Sequence, residues 1–191
     1  MADYDFAKIE KKLSKYLDED RFQHTMGVMY TSACLAMVHG YDIKDAQVSG
    51  LLHDCAKCIP NKKKLKMCSE HNIPVSDFER SHPFLLHSRL GAYIAHEKYG
   101  IDDQEILSAI NYHTTGRREM SLLEKIIYIA DYMEPGRKQA PNLSAIRKAA
   151  FEDLDKALLM ILEDTLSYLH STGSVVDTMT QKTYDFYSQY S

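Results

Sequence analysis

The chain has 191 residues, 45% of them hydrophobic, which suffices for one compact domain with a sizeable core and makes a second independent domain unexpected. Its net charge of -4 argues against general nucleic-acid binding through a broad basic face, so an anionic ligand has to be held by a local site. The opening "MADYDFAKIE" is acidic where a signal peptide carries positive charge, and no run approaches the length of a membrane span, which predicts a cytoplasmic protein with no membrane partner.

Apolar residues recur at three- and four-residue intervals from the first segment, "FAKIEKKLSKYL", onward, and sustained alternation of the strand type is absent, so the expected fold is all-α. In the second helical segment His24 shares a face with Val28 and Leu35, and Arg21 stands three residues before it. The third ends in "GLLHDCAK", where His53 shares a face with Ala46 and Ser49, Asp54 is adjacent, and Lys57 follows close to one turn later. Cys55 and Cys58 form a CxxC, but a structural zinc needs two more ligands and no second CxxC exists; the pair is expected to pack beside the site, and all four cysteines, with Cys34 and Cys68, to be free thiols. "NKKKLK" is expected to be a solvated helix face. Further on, His87 in "SHPFLLHS" shares a face with Gly91 and Ile94, with His82 nearby as a further contact, and His113 shares one with Ile106 and Ile110. In "KIIYIADYM" Asp131 lies on the stripe of Ile127, which places a carboxylate among aliphatic side chains. His39, His71, His96 and His170 sit near helix ends or on mixed faces and read as structural or exposed. The tail "TYDFYSQYS" spaces Tyr184, Tyr187 and Tyr190 three apart, either as a last helix sealing the core or as a contact for a second subunit in a homodimer.

A single inward histidine is more often a satisfied core residue than a ligand. Here, however, five helical segments direct His24, His53 with Asp54, His87, His113 and Asp131 inward, and unpaired buried carboxylates are costly. A bound metal pair satisfies all six at once.

The ordered set "RFQHT", "LLHDCAK", "LLHS", "INYHTTG" and "YIADYMEPGR" resembles the HD-domain superfamily of metal-dependent phosphohydrolases, and within it the YqeK-type symmetrical bis(5'-nucleosyl)-tetraphosphatases. The match runs from about residue 15 to the last helix, with "HTTG" and "ADYMEPGR" its most specific portion. The resemblance implies an HD-domain helical bundle over residues 1–191, with the metal-ligand core at about 21–137 and the helices at about 142–191 completing the fold. It implies a hydrolase that cleaves diadenosine tetraphosphate symmetrically into two ADP by attack of a metal-bridged hydroxide. His24, His53, Asp54 and Asp131 then hold one divalent metal, His87 and His113 hold the other, and Asp54 bridges them. A donor set of imidazoles and carboxylates without thiolate suits first-row metals; family precedent points to iron, with manganese or cobalt as alternatives. Asp54 and Lys57 become catalytic, and Lys57 with Arg21, His24 and Arg137 binds phosphate. Thr114 and Thr115 either offer hydroxyls or end a helix that Gly116 caps; Thr178 either lines the nucleoside end or caps the last helix. Two alternatives remain open at this stage: another HD phosphohydrolase acting on mononucleotides or alarmones, and a di-iron oxygenase. The three cations favour a polyphosphate substrate over a small neutral one. A metal-free helical binding module predicts eroded ligands, whereas all six positions are filled.

Overall fold

Short polar side chains mark where most of the helices begin. The computed structural model describes residues 4–189, and among these it has eleven α-helices, one 3-10 turn and no strand, in agreement with the all-α expectation. Asp5 caps α1 (Phe6–Leu13), Asp18 caps α2 (Glu19–His39) and Asp42 caps α3 (Ile43–Leu52), each through a carboxylate that accepts from a backbone N–H of the first turn. After α4 (Asn61–Glu70), Ser76 and Glu79 form a capping box on α5 (Asp77–Ser81), and the 3-10 turn Pro83–Leu85 leads directly into α6 (Leu86–Tyr99). Asp103 caps α7 (Gln104–Tyr112), and a second capping box, Ser121 with Glu124, starts α8 (Leu122–Met133). The chain closes with α9 (Leu143–Glu152), α10 (Leu154–Ser171) and α11 (Thr178–Tyr187), the last two capped by Asp153 and Asp177. Each such cap stabilises its helix by about 1 kcal/mol, so the helix starts are set locally.

Packing then decides which helices lie inside. In α8 Leu123, Ile126, Ile127, Tyr128, Ile129, Ala130 and Met133 are all buried, so apolar contact surrounds the helix on almost every side. It contacts α2, α3, α7, α9 and α10, and α2 also packs along α3. Helices α6 and α7 pair with each other and α7 packs on α8, while α10 packs on α8 and carries α11. The apolar core is continuous from Ile9 and Leu13 in α1 to Tyr187 in α11. Tyr187 is buried and its hydroxyl accepts a hydrogen bond from the backbone of Met120 (2.8 Å), so the last helix seals the core; Tyr190 lies outside the described residues. No helix among the described residues is long and apolar enough to cross a membrane.

Candidate metal centre

Five helices converge on one point, and each brings polar side chains to it. His24 projects from α2 and Asp131 from α8. His53 terminates α3 with Asp54 directly after it, His87 is the second residue of α6, and His113 terminates α7. The sequence pattern puts His53 and His113 within helices; the structure places both at the C-cap, still at helical backbone angles (φ -54°, ψ -40° and φ -63°, ψ -18°). Their side chains therefore keep the direction of the apolar stripe behind them. His53, Asp54, His87 and His113 are buried, while the side chain of Asp131 remains 22% exposed, less enclosed than its aliphatic stripe predicts.

Every one of the four histidines has its Nδ1 engaged outside the centre. His53 Nδ1 donates to Gly50 O (2.7 Å), His87 Nδ1 to Phe84 O (2.6 Å), His113 Nδ1 to Ile110 O (2.7 Å) and His24 Nδ1 to Glu134 Oε1 (3.1 Å). A proton held on Nδ1 leaves Nε2 as a lone pair, and all four Nε2 atoms face inward. There the acceptors crowd one another. His87 Nε2 lies 3.2 Å from His113 Nε2 and 3.1 Å from Asp54 Oδ1, and His113 Nε2 lies 3.5 Å from that same oxygen. His53 Nε2 stands 3.5 Å from Asp54 Oδ2 and 3.8 Å from Asp131 Oδ1, and His24 Nε2 comes to 2.9 Å from Asp131 Oδ1 at ion-pair distance without hydrogen-bond alignment. His53 Nε2 and Asp54 Oδ1 are buried with no hydrogen-bond partner.

Lone pairs facing lone pairs in a buried space repel, and a cation between them removes the repulsion. Two groups have ligand atoms close enough for one ion each: His24, His53 and Asp131, and His53, Asp54 and His113. His87, 3.1 Å from the shared carboxylate, adjoins the second group. This donor set of neutral imidazole and carboxylate fits divalent first-row metals. The protonation preferences of His53, His87, Asp54 and Asp131 agree, and that of His24 does not. Burial pushes the His53 and His87 imidazoles down to about 4, keeping them neutral ligands. Burial also opposes ionisation of Asp54 and Asp131, but the surrounding histidines outweigh it and hold both carboxyls below their usual range. For His24 burial again favours the neutral form, yet the flanking carboxylates of Asp131 and Glu134 prevail and raise its pKa.

Three cations line the rim. Arg21 Nη1 donates to Asp54 Oδ2 (2.8 Å), Lys57 Nζ donates to His87 Nε2 (3.1 Å) and lies 3.7 Å from Asp54 Oδ1, and Arg137 Nη2 stands 3.5 Å from Asp131 Oδ1. Arg21, His24 and Arg137 also line an open cleft of about 250 Å³ beside the centre. Thr178 is apart from these, exposed on the first turn of α11; the cap of that helix is Asp177, so the capping alternative for Thr178 does not hold. Gly116 adopts φ +63° after the His113 turn, as a left-handed cap requires.

Two groups gave little sign in the sequence. Glu134 is buried, accepts from His24 Nδ1 and the backbone N–H of Gly136, and fits only because residue 27 is glycine: a Cβ there would come within 2.6 Å of Glu134 Oε2. Arg147 braces the same turn by donating to Met133 O and Glu134 O, each at 2.9 Å. A carboxylate before Pro-Gly is the only signal available. The lysine run also departs from expectation, since Lys62, Lys63 and Lys66 are exposed but Lys64 is buried, with its ammonium 3.5 Å from Asn61 Oδ1. Burial followed by repulsion from Lys57 lowers its pKa. The CxxC is not a thiolate site: Cys55 is buried with its thiol pushed up to about 12 by burial and the charge of Asp54, whereas Cys58 is exposed, and all four cysteines are free. His82 stacks on Phe78 and hydrogen-bonds its carbonyl (3.0 Å), which engages it within α5.

Converging helices, an adjacent His-Asp pair and a distant Asp131 define a class, and residues 21–136 match the HD domain model; the chain belongs to the HD-domain family, a metal-dependent phosphohydrolase fold. More particularly, it is 37% identical over 174 residues to a protein of Bacillus subtilis named bis(5'-nucleosyl)-tetraphosphatase, symmetrical, covering 91% of this chain and 92% of that one. It is 39% identical over 170 residues to a protein of the same name from Halalkalibacterium halodurans, covering 89% and 90%. Among solved structures it matches, over the full length of both chains, a predicted HD superfamily hydrolase involved in NAD metabolism from Clostridium acetobutylicum, with TM-score 0.95 and 39% identity.

Proposed function

We propose that this chain hydrolyses diadenosine tetraphosphate symmetrically, releasing two ADP. The observation that carries the reading is the pair of His/Asp clusters that share His53, with their lone pairs facing one another, in a chain similar over nine-tenths of its length to enzymes of that name. In this reading His24, His53, Asp54 and Asp131 hold one divalent cation, and His87 and His113 hold a second with Asp54 between them. The second grouping also brings His53 within ligand distance of Asp54 and His113, which supports a shared rather than a divided centre. Two metals so placed supply Lewis-acid activation of a water and charge neutralisation on the phosphate it attacks. Iron is the proposed metal, with manganese and cobalt as the alternatives a reconstitution series distinguishes.

The remaining work falls to side chains of this chain. Arg21, Lys57 and Arg137, which stand against the carboxylates of the centre, are in reach of an anion bound there and orient its phosphates by charge-assisted hydrogen bonds. Lys57, closest to the second cluster, is proposed to neutralise charge on the phosphate under attack. His24, on the wall of the open cleft, contributes to the same phosphate-binding edge. The whole chain is taken as one HD domain acting in the cytoplasm. Since all six ligands come from one chain, the reading needs no second subunit; sedimentation velocity establishes whether the homodimer forms.

The products decide it. Metal-loaded enzyme given diadenosine tetraphosphate should yield two ADP, and hydrolysis in oxygen-18 water should label the β-phosphate of one of them. AMP with ATP would overturn the symmetric assignment. No turnover with iron, manganese or cobalt would turn attention to mononucleotides, alarmones or oxygen chemistry.

A further inference from the structure

Within the lysine run that opens α4, Lys64 is 3% exposed, whereas Lys62, Lys63 and Lys66 stand in solvent. Burying an ammonium is costly unless a counter-charge or a full set of acceptors meets it. Lys64 has neither. Its hydrogen bond to Asn61 Oδ1, at 3.5 Å, is at the long limit for such a contact, and no carboxylate among the described residues lies within ion-pair distance of it. Lys66, on the same helix, does have one in Glu70 (3.5 Å). The local backbone adds to the cost, because α4 begins without a side-chain cap and without an acidic residue in its first turn, and a helix N-terminus disfavours positive charge.

The place of burial gives the lysine a use. Helix α4 packs against α6 and against the 3-10 turn Pro83–Leu85, the elements that carry His87 and the Phe84 carbonyl on which His87 Nδ1 is anchored. The charged groups that act on Lys64 are those of the centre: Lys57 repels it and Asp54 attracts it. Lys57 in turn reaches His87 Nε2 (3.1 Å) and stands 3.7 Å from Asp54 Oδ1. Two ammonium groups therefore serve the His87 flank, while Arg21 and Arg137 border the cleft on the His24 flank. An anion between two repelling cations relieves both. A chain of four phosphates cut at its middle extends a charged arm each way from the bond that breaks, so a centre that positions it needs cations on both flanks.

We propose that Lys64 is a further substrate-binding residue: with Lys57 it forms a two-ammonium seat for the arm of the polyphosphate on the His87 side, Lys57 taking the phosphate at the centre and Lys64 the one beyond it. The inference rests on the hydrolase reading above and adds a residue to it. A lysine stem turns about several single bonds, so its ammonium can pass from Asn61 to a phosphate without a change of backbone.

The test uses metal-loaded full-length protein carrying Lys64→Met, which keeps an unbranched apolar stem and removes the charge, or Lys64→Gln, which keeps a polar end without charge. Orthophosphate and tripolyphosphate serve as calorimetric probes, and diadenosine tetraphosphate as substrate. Both variants should weaken tripolyphosphate binding and raise KM by about tenfold or more, with kcat within about threefold of wild type. Metal content and orthophosphate affinity should stay at wild-type values, since orthophosphate reaches only the centre and Lys57. The Tm of Lys64→Met should hold or rise, because a buried charge is gone, which separates the loss of binding from loss of fold. Wild-type tripolyphosphate affinity in both variants, or an equal loss of orthophosphate affinity, would overturn the assignment. If wild-type enzyme binds tripolyphosphate but leaves diadenosine tetraphosphate intact, the hydrolase reading fails while the tripolyphosphate measurements still decide Lys64.

Discussion

The half of the centre built by His24 and Asp131 and the half built by His87 and His113 meet at His53 and Asp54. His24 and Asp131 project from within α2 and α8, helices held in the middle of the core, and Glu134 and Arg147 brace the turn behind them. By contrast His87 and His113 sit at the first turn of α6 and the end of α7, anchored by one carbonyl each, with Lys57 against them and a cavity alongside. The first half carries a carboxylate of its own, while the second relies on two imidazoles and Asp54. Charge and anchoring both differ in the same direction, so the first half should bind its cation tightly and the second should keep positions open for a ligand.

Asp54→Ala tests what the halves share, and should bring the largest loss: both metals gone by elemental analysis and hydrolysis reduced to background, because each cluster loses its common oxygen donor. Two metals per chain in that variant would remove Asp54 from the bridge. His87→Ala should separate the halves, leaving one metal per chain bound and activity again at background. Equal loss of both metals would show that the halves form one cooperative site. Glu134→Gln should act on the first half alone, weakening its metal by about ten- to a hundredfold in a chelator competition, as expected for a residue that orients a ligand. Lys57→Ala and Arg137→Ala should leave metal content intact and lower kcat/KM by about tenfold, which steady-state kinetics reads directly.

The smallest expected effect concerns pH in chelator-treated protein. His53 and His87 are held near 4 by burial, against about 6.5 when unfolded, so the unfolded chain binds more protons between these values. Their contribution to stability is complete above about 6.5 and is lost as pH falls toward 4. His24, raised by its carboxylates, contributes in the opposite sense, its stabilisation present at low pH and lost as pH rises through its folded value. The His24 change falls above about 6.5, so the buried pair alone acts between pH 6.5 and 4.5, and Tm should fall by about 5 °C or more across that range in a thermal scan. A flat profile would mean that burial does not hold the pair neutral.

The inward placement of the six proposed ligands was legible because each obeys a local rule. A helix repeats every 3.6 residues, so His24, His87 and Asp131 could be put on apolar faces by counting, and His53 and His113 still pointed inward although each proved to end its helix. Glu134 obeys no such rule. It follows α8 in a turn that also reads as a plain helix stop, and its carboxylate matters only because α8 ends beside α2 at the one place where Gly27 leaves room. Lys64 shows the same limit: nothing distinguishes it from Lys62, Lys63 and Lys66 until packing buries it. By itself, then, the sequence determined the helices, their caps and the inward face of every proposed ligand, since these depend on residues within a turn or two. Only the tertiary structure decided which Nε2 atoms meet which carboxylate oxygen, that each imidazole is locked through Nδ1, and that α11 closes a cavity beside His113. Those are distances between segments up to about a hundred residues apart, set by side-chain volumes across helix contacts that no local periodicity encodes.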